Sequence, residues 1–232
     1  MADEIAGIRH PYLSKSDIFD IKDLHSKNPF QQFNKWFEDA SQSSNILEPN
    51  AMALATASNS GVPSVRMLLL KGFSEENGFV FYTNYESRKS KDLQANPQCS
   101  LMFYWEPLRR SVRIEGKAAK MSREASEKYF SSRPRDSQIS AIVSKQGQVV
   151  NNREFLDKKH SSTVEQYGDK MPIEMPDYWG GFHIQPSVFE FWQGQSNRLH
   201  DRIMFRKLGS GEKKSGSAMV GENGWIIERL SP

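Results

Sequence analysis

The stretch Glu190-Phe191-Trp192-Gln193-Gly194-Gln195-Ser196-Asn197-Arg198-Leu199-His200-Asp201-Arg202 carries two different signals. In the run leading into it, Val188, Glu190 and Trp192 alternate with Phe189, Phe191 and Gln193, a period of two that predicts a strand with both faces partly covered. Gly194 to Asn197 then break the run and turn the chain. Beyond the turn, Arg198, His200 and Arg202 again stand at period two. If this second limb is extended, they project from one face, two fixed cations beside an imidazole that titrates near neutral pH. Such a face suits an anionic substrate, and a solvated strand face is the alternative for the same pattern.

Outward from this hairpin, strands dominate. Ala51 to Ala57 reads as a buried strand and Val62 to Lys71 as its partner across an Asn59-Ser60-Gly61 turn. Asn77-Gly78 precedes a strand over Phe79 to Thr83. Cys99 to Trp105 and Ser111 to Lys120 pair around Pro107, and further strands are predicted at Gly181 to Gln185, Val188 to Gln193, Leu199 to Lys207 and Trp225 to Arg229. Helices are expected after Asn28-Pro29, from Ser87 to Leu93, and near Ser122 to Ser132, Ser137 to Ser144 and Asn152 to Tyr167. The Gly/Lys/Ser-rich interval Leu208 to Asn223 reads as a flexible loop, and residues 1–27 as a mobile N-terminal arm. Residues 28–232 then form one domain, mainly β with accessory helices (α+β), a closed barrel with a helical layer at about 122–167.

Composition limits the alternatives. With 37% hydrophobic and 25% charged residues the chain can bury a sizeable core, and its net charge of +3 is too small to argue for nucleic acid. The single cysteine, Cys99, fits a packed thiol in a reducing compartment. No apolar run approaches the ~18 residues of a membrane span, and the start lacks a basic segment followed by an apolar one, so a soluble, cytoplasmic protein is expected. No His/Cys cluster suggests a metal.

Three further segments carry charge in suggestive places. Arg66-Met67-Leu68-Leu69-Leu70-Lys71 sets a cation at each end of an apolar strand, on opposite faces unless a bulge intervenes. Ser87-Arg88-Lys89 opens a helix just after the strand ending Tyr82-Thr83, where free N–H groups and two cations favour a phosphate; an exposed helix start is the alternative. Tyr129, Arg133 and Ser137 recur every four residues, but Pro134 breaks any continuous helix, so they can converge only at a helix-turn-helix corner, which would suit a second phosphate; an exposed linker between helices is the equal alternative from spacing alone.

These segments, with Gln146, Trp179 to Gly181 and the closing Glu228-Arg229-Leu230-Ser231-Pro232, resemble the pyridoxamine (pyridoxine) 5′-phosphate oxidases, flavoproteins of vitamin B6 metabolism, from roughly residue 28 to the end. The resemblance implies a split barrel binding flavin mononucleotide (FMN), built as a homodimer with the cofactor at the subunit interface. It implies oxidation of pyridoxine 5′-phosphate and pyridoxamine 5′-phosphate to pyridoxal 5′-phosphate by hydride transfer from C4′ to flavin N5, dioxygen being reduced to hydrogen peroxide. It assigns Arg66, Met67, Leu68, Leu69, Lys71, Tyr82, Thr83, Arg88, Lys89, Ser111, Gln146, Gly147, Trp192 and Arg202 to FMN. Lys71, Tyr129, Arg133, Ser137, Arg198, Leu199 and His200 fall to the substrate, Arg198 and His200 at the reacting side, and Arg9 and Tyr12 to a lid over it.

Two positions depart from the family pattern: Ser111 stands where Gln is usual and Gly147 where Ser is usual. Losing one hydrogen bond, roughly 0.5–1.5 kcal/mol, weakens binding about three- to tenfold, so looser flavin binding is expected. The rival readings are a split-barrel flavin reductase using a nicotinamide, a non-catalytic carrier of flavin or pyridoxal 5′-phosphate, and a nucleic-acid module. The last is disfavoured because the basic residues are dispersed among apolar strands.

Overall fold

A computed structural model describes Gly7 and residues 18–232. The described chain forms ten strands and five α-helices, and it divides into two compact units that interleave in sequence. One unit comprises residues 18–53, 100–115 and 186–232; the other comprises residues 54–99 and 116–185. The division falls inside several strands, a boundary without any linker for composition to reveal.

In the first unit, helix α1 (Pro29–Gln42) begins as expected: the Asn28 side chain accepts from Phe30 N–H at 2.9 Å and Pro29 occupies the first turn. Its apolar stripe of Phe30, Phe33, Trp36 and Ala40 is buried. Phe33 packs edge-on to Phe103 (centroids 5.1 Å apart) and Trp36 edge-on to Phe191 (5.3 Å). Residue 19, which the sequence placed in the arm, belongs to this core: Phe19 is buried against Trp36 and its N–H donates to Asp201. A lone aromatic in a polar stretch has no periodicity to announce it.

The sheet of this unit contains parts of β5 (Gln98–Trp105), β6 (Arg110–Lys120) and β7 (Trp179–Gln193), followed by β8 (Asp201–Lys207), β10 (Trp225–Arg229) and β9 (Met219–Val220). β7 and β8 are antiparallel with Trp192 opposite Arg202 and Glu190 opposite Met204. Two expectations change here. The predicted pair of strands either side of Pro186 is one continuous strand, β7. Its ladder with β8 begins only at Val188, and its ladder with β4 (Gly78–Asn84) ends at Ile184, so neither requires an N–H at residue 186. The interval Leu208 to Asn223 contains β9 and the buried Ala218, a two-residue strand too short to show alternation.

The second unit holds β2 (Pro63–Leu69) beside β1 (Ala51–Ala57), β3 (Gly72–Ser74) beside β4, and β4 antiparallel to the first half of β7. β3 was not anticipated, again because three residues carry no period. Gly78 turns β3 into β4 at φ +61°, and a Cβ there would lie 2.0 Å from the Ile184 carbonyl oxygen, so only glycine fits. Helices α2 (Arg88–Ala95), α3 (Arg123–Ser132), α4 (Arg135–Val143) and α5 (Arg153–Tyr167) complete the unit, the last three forming the anticipated helical cluster. Its core gathers Phe130, Ile139, Val143, Ile173, Met175 and Trp179. Among the described residues no helix is long and apolar enough to cross a membrane, and no His/Cys/Asp/Glu group could hold a metal.

Candidate functional site

In the second unit a cleft of about 560 Å³ is lined by Leu68, Leu69, Lys71, Tyr82, Thr83, Tyr129, Arg133, Ser137 and Gln146, nine residues that the sequence had singled out from four separate segments. Their convergence has a local cause. Helix α3 ends at Ser132, Arg133 caps it in an extended conformation, and Pro134 opens α4 at once, so Tyr129, Arg133 and Ser137 meet at a corner instead of along one helix. The Gln138 amide staples the corner by donating to the carbonyls of Arg133 (3.0 Å) and Ser131 (3.3 Å). On the wall, Tyr82 stacks on Tyr129 (3.8 Å, 12°) and on Trp179 (5.5 Å, 9°). The Arg133 guanidinium lies 4.8 Å from the Trp179 ring centroid, and its Nη1 is buried without a hydrogen-bond partner among the described residues. Burial lowers the Arg133 pKa, yet the group stays cationic at any ordinary pH. A buried guanidinium nitrogen with an unspent donor calls for an anionic acceptor.

Ser140 and Ser144 also line this cleft, at helical spacing from Ser137 on α4, and Asn84 does so from the end of β4. The sequence reading missed all three; the serine spacing was the available signal.

Beside the cleft lies a cluster of cations. Lys89 is buried, and its Nζ donates to Gln146 Oε1 (2.7 Å), Ser87 Oγ (3.2 Å) and Thr83 Oγ1 (3.3 Å). Burial, reinforced by the neighbouring Arg66 charge, pushes its pKa down to about 8. Arg66 does not line the cleft. Its Nη1 reaches Leu54 O (3.0 Å) and Thr56 Oγ1 (2.9 Å), while Thr56 in turn donates to Asp92 (2.7 Å). Arg88 Nε stands 3.9 Å from the same Asp92. Ser87 occupies the N-cap position of α2, but its hydroxyl donates to Asn84 O instead of capping the helix. Three cations beside one buried carboxylate leave a net positive pocket. Met67 is exposed, and Gly147 lines a neighbouring cavity with Gln146.

In the first unit, Ser111, Trp192, His200 and Arg202 line a second cleft of about 410 Å³ together with Met102, Tyr104, Arg113, Glu190 and Pro232. The expectation of one face bearing Arg198, His200 and Arg202 is corrected. Arg198 has φ +67°, its N–H closes a turn on Gln195 O, and β8 starts only at Asp201, so the limb is not extended where period two was assumed. Arg198 is absent from the lining of this cleft, and Leu199 lines another cavity and is exposed. His200 is aimed by a different contact: its Nδ1 accepts the Gln195 N–H at 3.0 Å and its ring lies 4.9 Å from Trp192. Burial and then the Arg198 charge lower its pKa, so the ring is neutral at neutral pH with its proton on Nε2. Cys99 is the packed thiol expected, its pKa pushed up to about 12 by burial. Arg9 and Tyr12 lie outside the described residues.

Mixed strand-and-helix units carrying an anion-seeking cleft and a cationic cluster are suited to binding phosphorylated ligands. The fold matches the crystal structure of PhzG from Burkholderia lata 383 (TM-score 0.80, 24% identity, 93% of this chain and 98% of that one). It also matches a pyridoxamine 5′-phosphate oxidase-related, FMN-binding protein from Nostoc punctiforme (TM-score 0.66, 16% identity, 88% and 98% covered). Residues 38–166 match the family model described as pyridoxamine 5′-phosphate oxidase, and residues 179–232 that of the pyridoxine 5′-phosphate oxidase C-terminal dimerisation region. Pyridoxine-5′-phosphate oxidase of Bos taurus is 48% identical over 99% of this chain and 88% of its own length. Pyridoxine/pyridoxamine 5′-phosphate oxidase of Bombyx mori is 48% identical over 100% and 91%. The chain belongs to the pyridoxamine 5′-phosphate oxidase family.

Proposed function

We propose that the protein oxidises pyridoxine 5′-phosphate and pyridoxamine 5′-phosphate to pyridoxal 5′-phosphate, as a cytoplasmic homodimer with FMN at the subunit interface. The observation that carries the reading is the buried, unpartnered Nη1 of Arg133 in a cleft that also brings together Lys71, Tyr129 and Ser137. The match of residues 179–232 to a dimerisation region supports the homodimer.

The residues present fit a flavin phosphate, because Arg66, Arg88 and Lys89 supply charge in excess of Asp92, with the Thr83 hydroxyl alongside. FMN, when bound, supplies the two-electron acceptor that takes the hydride from C4′ and passes the electrons to dioxygen. Arg133, Ser137 and the Tyr129 hydroxyl hold the substrate phosphate, and Lys71 holds the ring-bearing end. Leu68, Leu69 and Tyr82 give the cleft apolar walls that exclude water. By the family resemblance, Gln146 and Thr83 serve the flavin, and Ser111, Trp192 and Arg202 are likewise flavin residues. The resemblance gives Arg198, Leu199 and His200 to the substrate, and the neutral His200 ring has an Nε2 N–H to donate. Most of the barrier reduction is positioning: two anchored phosphates fix C4′ against its acceptor.

The test is the visible spectrum of the purified protein with pyridoxamine 5′-phosphate added under anaerobic conditions. A flavin band that bleaches and returns on admitting air is expected; a flavin-loaded protein whose band never bleaches would favour a carrier instead.

A further inference from the structure

Arg202 is held from behind by a carboxylate that no sequence signal distinguished. Glu190 and Trp192 share a face of β7, and Arg202, opposite Trp192 on β8, is the diagonal neighbour of Glu190. Across that diagonal Arg202 Nε donates to Glu190 Oε1 at 2.7 Å. The other carboxylate oxygen, Oε2, accepts from Nη2 of Arg113 on β6, which also pairs with Glu115. Glu190 is 6% exposed, so both its oxygens are spent on guanidinium groups in a site largely shielded from water. The Arg202 Nη1 donates to Ser231 O at 2.8 Å. Among the described residues, that leaves Nη2 as the one nitrogen of Arg202 without an acceptor, on a side chain that lines the 410 Å³ cleft.

A guanidinium is planar, so engaging Nε and Nη1 fixes the plane and thereby the direction of the remaining N–H bonds. An arginine on a free side chain would lose rotamer entropy on being ordered by a ligand; here that ordering is already in place. We propose that Glu190 is a positioning residue for flavin binding: it clamps Arg202 so that Nη2 is presented, preorganised, to an acceptor on the flavin. The proposal rests on the assignment of Arg202 to FMN made above. Burial by itself would raise the Glu190 pKa, but the hydrogen bonds from Arg202 and Arg113 outweigh it and hold the carboxyl below its ordinary value, so the clamp is charged throughout the neutral range.

The experiment is a double-mutant cycle on Glu190→Gln and Arg202→Ala, reading the FMN dissociation constant from the flavin fluorescence released when holoenzyme is diluted. Arg202→Ala alone tests the underlying assignment: an unchanged dissociation constant overturns the flavin role of Arg202 and the proposal with it. Given a weakened Arg202→Ala, Glu190→Gln is expected to weaken FMN binding about tenfold, and the double variant is expected to be no weaker than Arg202→Ala. Full additivity, or wild-type affinity in Glu190→Gln, overturns the positioning role while leaving Arg202 at the flavin. A purely structural role for Glu190 predicts additivity, so the cycle separates the two. Should Glu190→Gln not fold, Glu190→Asp, which keeps the charge and withdraws it by one methylene, enters the same cycle with a several-fold loss expected; additivity there overturns the proposal equally.

Discussion

Raising the pH from about 7 to about 9 takes the charge off Lys89 before it touches any other cation of the proposed flavin phosphate pocket. Its pKa is pushed down to about 8 by burial and by Arg66, whereas Arg66 and Arg88 remain charged. The ammonium is then roughly nine-tenths charged at about pH 7 and one-tenth at about pH 9. The phosphate, with a second pKa of about 6, is dianionic across this window. If only charged Lys89 holds it, the dissociation constant for FMN rises about tenfold between the two pH values. His200, its pKa lowered by burial and by Arg198, and Cys99, at about 12, do not interfere. Fluorescence titration of apoprotein with FMN measures the effect, and Lys89→Met is expected to bind more weakly at pH ~7 and to show a flat profile. An equal slope in wild type and Lys89→Met would refute the reasoning. The folding equilibrium of the apoprotein moves the other way. Between about pH 8 and the ordinary lysine value of 10.5 the unfolded chain holds the extra proton, so this group's contribution makes the apoprotein more stable as pH rises.

Other outcomes follow from single contacts. Arg133→Ala should raise KM for the phosphorylated substrate by roughly tenfold or more, from the loss of about 1.5–3 kcal/mol of charge-assisted hydrogen bonding, with a much smaller effect on an unphosphorylated analogue; equal losses would contradict the phosphate role. Ser111→Gln should tighten FMN binding about three- to tenfold by restoring one hydrogen bond, and an unchanged dissociation constant would show that the departure at 111 is compensated elsewhere. Phe33→Ala, at a side chain with 0% exposure wedged between Phe103 and Trp105, should cost ~3–5 kcal/mol and lower the thermal midpoint by roughly 10 °C in a calorimetric scan.

Much of the fold was legible because its signals are local. Asn28-Pro29 and the recurrence of Phe30, Phe33, Phe37 and Ala40 announced α1, although Trp36 is buried where Phe37 is only half-buried, and the alternation through Val188 to Gln193 announced the second half of β7. The corner at Pro134 could be read because proline cannot continue the preceding turn. What failed was equally specific. Arg198, His200 and Arg202 have the right spacing for one face, but spacing implies a face only where the backbone is extended, and Arg198 sits at positive φ. β3 and β9 are too short to have a period. Glu190 was visible as one member of an alternating strand, with nothing to mark it as the carboxylate shared by Arg113 and Arg202.

The sequence by itself determined most of the elements, since caps, periods and turn residues act between neighbours a few positions apart, and its motifs carried the resemblance that gave the family and the residue types available for two phosphates. Only the tertiary structure decided which cations share a pocket, that Lys89 is desolvated to a pKa of about 8, that one nitrogen of Arg133 is left without a partner, and that Arg202 is held by Glu190. Those properties depend on distance and on exclusion of water between residues remote in the chain. Hydrophobic burial, which is indifferent to sequence separation, sets both.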